Sequence, residues 1–218
     1  MLNKLLAEGI GTAFLLIGVV GSGIMAASLS PDNTGVALMA NAIATGCILY
    51  VIITLLGPIS GAHFNPAVTL AFLLRGEIPA VHALAYILVQ IGAGILGVWI
   101  AHLMFELPVL QLSGTIRSGP SQWFSEVVAT FGLLFVILGG LRHAAAAIPT
   151  LVALYITGAY WFTSSTSFAN PAVTIARALS DTFAGILPGN MPVFIAMQLI
   201  GALAAVLLAR RLFAPTSG

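Results

Sequence analysis

Two five-residue segments of this chain are identical, Asn65-Pro66-Ala67-Val68-Thr69 and Asn170-Pro171-Ala172-Val173-Thr174. An asparagine followed by proline suits the start of a helix, with Asn as the N-cap and Pro at the first helical position, where its missing N–H is not needed. A single instance would mean only that. Two copies, each opening a short apolar stretch (66–74 and 171–179) too short to cross a bilayer, are a different signal. The side-chain amides of Asn65 and Asn170 can donate hydrogen bonds to a passing oxygen. A helix N-terminus carries about half a positive charge. Two such ends facing each other would repel cations and protons while leaving donors for neutral polar solutes.

Other polar residues recur with the pair. Glu8 is echoed by Glu126, and Gln90 by Gln198. A carboxylate inside a membrane helix costs at least ~2.5–3.5 kcal/mol, so the two glutamates need a purpose. They either relay protons or accept the N–H groups of the loops before the short helices, and their symmetric placement favours the second role. Gln90 and Gln198 read as hydrogen-bonding glue between helices. His63, two residues before Asn65, either gates one mouth or braces the loop. Arg177 lies one turn beyond Val173 on nearly the same helical face. It either lends a charge to the outer vestibule or reaches toward headgroups or Asp181. Cys47 reads as a packing residue.

These residues must be held by something, and the composition says what. The 218 residues are 60% hydrophobic and only 6% charged, with mean hydropathy +1.11. Soluble domains carry about 25% charged residues, so the solvent of this chain is lipid. A formal net charge of +1 suggests no nucleic-acid partner. One cysteine and four scattered histidines build no metal site, and no cofactor motif is present. The catalytic patterns expected of an intramembrane enzyme are also missing: His-Glu-x-x-His, Gly-x-Ser-x-Gly and a buried aspartate pair.

Six segments reach the ~20 apolar residues that a spanning helix needs: 5–27, 36–56, 82–105, 123–141, 145–163 and 193–212. The first follows Lys4 and is read as a retained span. The breaks between spans carry turn residues, among them Gly57-Pro58 and Leu187-Pro188-Gly189-Asn190. The fold class is therefore an all-α membrane protein of six transmembrane helices and two re-entrant half-helices. It forms a single membrane domain over 1–218, with repeat one at 1–105, a connecting loop at 106–121 and repeat two at 122–218. Each repeat holds three spans, an odd number, so the second inserts inverted. Broken helices in such repeats point to a substrate path at the midplane. Lys4, Arg75, Arg142, Arg210 and Arg211 fall on one side, Arg117 and Arg177 on the other, which places both termini in the cytoplasm.

The segment Ser60-Gly61-Ala62-His63-Phe64-Asn65-Pro66-Ala67-Val68-Thr69 closely resembles the first signature loop of aquaporins and aquaglyceroporins, the major intrinsic proteins, and Asn170-Pro171-Ala172 resembles the second. The resemblance covers nearly the whole chain. It implies a central pore in each protomer of a homotetramer in the plasma (inner) membrane, passing water, glycerol or neutral metalloid hydroxides such as arsenite. Counted from the two asparagines, the family's narrowest ring falls on Thr45, Gly158, Ser167 and Val173. The arginine that usually follows the second motif is replaced by Val173, and the four small side chains imply an unusually wide pore. A coupled secondary transporter of a small neutral solute is the other reading of an inverted repeat. The chain lacks the ionisable midplane site such a transporter normally uses.

Overall fold

The structure is a computed structural model, and it describes residues 1–213. Among these residues the secondary structure is entirely helical: α1 (Leu2–Leu29), α2 (Thr34–Ser60), α3 (Pro66–Leu74), α4 (Ala80–Met104), α5 (Pro120–His143), α6 (Ile148–Phe162), α7 (Pro171–Arg177) and α8 (Met191–Leu212). Short 3-10 turns lead into α6 and α8, and six helices are long and apolar enough to cross a membrane. The half-helices α3 and α7 are the exceptions, at nine and seven residues. The last five residues of the expected second repeat, 214–218, lie outside the described residues.

Two boundaries differ from the sequence reading. Gly57-Pro58 does not break the second span, because Pro58 sits inside α2. Proline is tolerated in a membrane helix where neighbouring groups satisfy the freed backbone. The helix stops instead at Gly61, a left-handed cap with φ +89° whose N–H bonds to Gly57 O. The half-helix α7 ends at Arg177, two residues before the expected limit at 179, and the chain then turns.

Glycines set how closely the helices cross. A Cβ on Gly97 of α4 would strike the backbone of Ala13 in α1, and one on Gly201 of α8 would strike that of Val127 in α5. Small residues at such crossings let backbones approach closely, which drives helix association where lipid removes the hydrophobic incentive. Gly11 leaves the space that the Phe64 ring fills.

The two ends of the bundle differ. At the end where α1 begins and α8 finishes, here the terminal end, Arg210 donates to Leu74 O, and Phe213 packs against His143 and Phe135. At the far end the loops 106–119 and 178–190 are tied together by Ser113 N–H to Ala178 O and Leu187 N–H to Thr115 O.

Candidate functional site

The two half-helices meet head to head. In each, the asparagine side-chain oxygen caps its own helix. Asn65 Oδ1 accepts from Ala67 N–H at 2.8 Å, and Asn170 Oδ1 accepts from Ala172 and Val173 N–H at 2.9 and 3.3 Å. The amide nitrogens cross over. Asn65 Nδ2 donates to Ala169 O at 2.7 Å, and Asn170 Nδ2 donates to Phe64 O at 2.8 Å. Each amide has two N–H groups, so one locks the opposite half and the other is left for a solute. The sequence reading assigned these amides to solute alone and did not foresee the lock.

The residues before each asparagine bend through backbone that non-glycine residues avoid. Phe64 and Ala169, directly preceding, have φ of 47° and 49°, while Ala62 and Ser167, three residues before, have 51° and 52°. Such conformations cost on the order of 1–2 kcal/mol per residue. The two buried glutamates hold them. Glu8 accepts from His63 N–H at 2.9 Å and Phe64 N–H at 2.7 Å. Glu126 accepts from Phe168 and Ala169 N–H, both at 2.9 Å. Gln90 donates to Glu8 and Thr69, and Gln198 to Glu126 and Thr174. The carboxylates thus sit among donors, which offsets their desolvation.

A cavity of about 110 Å³ passes the meeting point and is lined by residues from both ends, from His63 and Phe72 to Tyr160 and Arg177. A single water needs ~10–15 Å³ by the same measure, so the void accommodates a file of small molecules. Asn65, Asn170, Val68 and Val173 line its middle, and apolar side chains such as Leu133 and Ile156 line much of the rest.

Of the four positions expected to form the narrowest ring, Thr45, Ser167 and Val173 line the cavity. Gly158 does not. It is exposed on the outside of the bundle, where a Cβ would meet only Phe162. The reason is the helical period: Val152, Ile156 and Tyr160 face the cavity four residues apart, and Gly158 is two residues, about 200°, from the latter two. The place expected to be empty is filled by Tyr160, whose hydroxyl lies 3.2 Å from Thr45 Oγ1. The basis for an unusually wide ring goes with it.

Arg177 is the larger surprise. It neither reaches out of the protein nor pairs with Asp181. It is 2% exposed, lines the cavity, donates through Nε to Ala184 O, and stacks its guanidinium 3.5 Å from the Phe168 ring centroid. A second guanidinium, Arg117, lies 5.1 Å from the same centroid and is bound to Gly185 O, Thr166 Oγ1 and Phe183 O. Burial lowers Arg117 from the usual arginine range. Tyr160, Phe168 and Arg117 were missed by the sequence reading. The signal that could have found Phe168 is its place two residues before Asn170, matching His63 before Asn65. His63 itself lines the cavity, with its Nδ1 3.1 Å from Thr69 Oγ1 and its ring 4.6 Å from that of Phe72.

The family described as Major intrinsic protein matches residues 1–164. The chain is 53% identical over 213 residues to aquaglyceroporin AqpS of Rhizobium meliloti (strain 1021), an alignment covering 98% of this chain and 91% of that protein. The chain belongs to the major intrinsic protein family. Nodulin-26 of Glycine max is 36% identical over 140 residues, 63% of this chain and 51% of that one. The fold agrees with the X-ray structure of the aquaglyceroporin from Plasmodium falciparum, with a TM-score of 0.77 over 98% of this chain and 97% of that one, at 18% identity. The head-to-head half-helices and cross-bonded asparagines are therefore features of a major intrinsic protein fold.

Proposed function

We propose that this protein is a passive channel for small uncharged solutes: water, glycerol and neutral metalloid hydroxides such as arsenite. The observation that carries this is the conduit passing the crossed asparagines, where two helix N-termini face each other and each amide keeps an N–H for a solute oxygen. Opposed positive ends repel cations, and the apolar walls offer a stripped ion nothing in place of its water. A similar protein carries the name aquaglyceroporin, in keeping with a solute range beyond water.

In this reading Asn65, Pro66, Ala67, Asn170, Pro171 and Ala172 form the midplane. Glu8, Glu126, Gln90, Gln198 and His63 brace its loops. Thr45, Tyr160, Ser167, Val173 and Arg177 form the selective far end, with the guanidinium of Arg177 standing one turn outward of Val173. The repeats are 1–105 and 122–218, joined by 106–121. The terminal end, with Lys4, Arg75, Arg142, Arg210 and Arg211, faces the cytoplasm of a plasma (inner) membrane, and the working assembly is a homotetramer with one pore per protomer. Stopped-flow measurements on proteoliposomes test the proposal. Water, glycerol and arsenite fluxes above those of protein-free vesicles, independent of proton or sodium gradients, are expected. Flux that requires such a gradient would establish a coupled transporter instead.

A further inference from the structure

We propose that the far-end mouth binds a small monovalent anion at Arg177, and that this anion competes with neutral solutes for the conduit. The inference rests on the channel reading for its second half only.

The inverted repeat makes the site visible. Arg177 lies seven residues after Asn170, and Phe72 lies seven after Asn65. Each stacks on the residue two before its asparagine, Arg177 on Phe168 and Phe72 on His63. The two mouths are thus one construction with two exchanges, Phe168 for His63 and, seven residues after the asparagine, a guanidinium for the Phe72 ring. Among the described residues no carboxylate pairs with that guanidinium. Its Nε bonds to Ala184 O and its face meets Phe168, but NH1 is buried without a partner. Ser167 Oγ, on the same cavity wall, is likewise buried and unpartnered. Arg117 adds a second fixed charge against the same ring, with each of its three nitrogens already donating one bond, to Gly185 O, Thr166 Oγ1 and Phe183 O.

No acid is in contact with these two cations, and Glu126 acts on them only through space. Among the described residues the one ion pair is Arg75–Glu77, which is exposed, and no carboxylate lines the cavity. Glu126 is committed to Phe168 N–H, Ala169 N–H and Gln198, and Asp181 accepts from Gly114 N–H. A buried cation with an open N–H is costly to leave unpaired, and charge-assisted bonds to an anion are the strong ones. A halide or formate is small enough to sit in a cavity of about 110 Å³ beside one guanidinium. Past Arg177 the walls turn apolar at Val173 and Ile156, so the anion lodges at the mouth without crossing. The opposite mouth, built on His63 and Phe72, has no equivalent charge.

Water and glycerol fluxes through proteoliposomes are followed with chloride or gluconate outside, at matched osmolarity and ionic strength. Chloride at about 100 mM should slow both about twofold, the occupancy of a site whose Kd is on the order of 100 mM. Arg177→Gln should abolish the difference and Arg177→Lys should keep part of it. Equal rates in chloride and gluconate, an undiminished chloride effect in folded Arg177→Gln, or a sustained chloride current would overturn the proposal. Should Arg177→Gln fail to fold, the chloride-35 NMR line of wild-type protein in detergent decides. Broadening reversed by formate but not by gluconate supports the site, and its absence refutes it. That arm needs no flux, so vesicles that pass no solute would remove the channel reading without touching the anion site.

Discussion

The first half of this channel and the second are built to one plan near the middle and diverge only toward their mouths. Position by position from Asn65 and Asn170, the helix cap, the left-handed residues, the glutamate acceptor and the glutamine–threonine bond coincide. Even the ring flanking each mouth coincides. Tyr86 meets His63 edge-on and Phe194 meets Phe168 edge-on, each four residues before the bracing glutamine and each at 5.4 Å. The halves part company at the residue two before each asparagine and the residue seven after it. The midplane holds backbone geometry that any solute meets from both sides, so it tolerates little difference. The mouths face different compartments and can carry different charge.

The comparison breaks most violently at the glutamates. Glu8→Ala and Glu126→Ala each leave two buried backbone N–H groups without an acceptor, at about 1–3 kcal/mol apiece, and take one of its two acceptors from the bracing glutamine. Both variants should lose most of their folded yield and all flux, to a similar extent. Thermal unfolding in detergent measures this, and one half tolerating the change would end the equivalence. Next come the asparagines. Asn65→Asp keeps the cap on Ala67 but sets a carboxylate oxygen against Ala169 O, and Asn170→Asp does the same at Phe64 O. Where these variants fold, water flux should fall about tenfold, equal to about 1.4 kcal/mol of barrier, and cation current should appear in voltage-clamped bilayers. Unaltered flux and neutrality would displace both residues from the midplane.

Smaller effects sharpen the contrast between mouths. Arg177→Phe gives the far end an uncharged pair of stacked rings in the place where the terminal end stacks Phe72 on His63. It should raise cation leak and lift the glycerol-to-water permeability ratio a few-fold, about 1 kcal/mol or less in barrier terms. Val173→Arg should lower that ratio only partly, because Ala184 O is already taken by Arg177 and the two guanidinium groups repel. Gly158→Ala should leave the ratio unchanged while stabilising α6 by up to about 1 kcal/mol, since the new methyl makes only an ordinary contact with Phe162. A shift in selectivity would put Gly158 back at the constriction.

The midplane was legible because it is repeated. A seven-residue resemblance, two glutamates and two glutamines in matching places gave both half-helices and their braces. The far-end ring was legible only by counting, and counting fails where a helix rotates. Tyr160 and Gly158 differ by two positions in sequence and by more than half a turn in space, and no periodicity in so uniformly apolar a helix distinguishes them. Arg177 was ambiguous for another reason. Its acceptor, Ala184 O, comes from a loop whose path back over the mouth is fixed by tertiary contacts such as Ile186 N–H to Arg177 O. The crossed amides were illegible too, because their partners are backbone carbonyls, which every residue carries.

Those crossed amides also set an order of events during synthesis. Asn65 finds its acceptor 104 residues downstream, and Phe64 O waits for a donor 106 residues downstream. When the first three spans have entered the bilayer, the first half-helix therefore has a buried amide and a buried carbonyl with no partner. In lipid such groups are costly. The first half-helix can hold a watery, half-open position until Asn170 arrives, and only then does closing it become favourable. The midplane consequently cannot close before Asn170 has been made, and a chain stalled after its fourth helix carries every brace of the first half and no crossed amides.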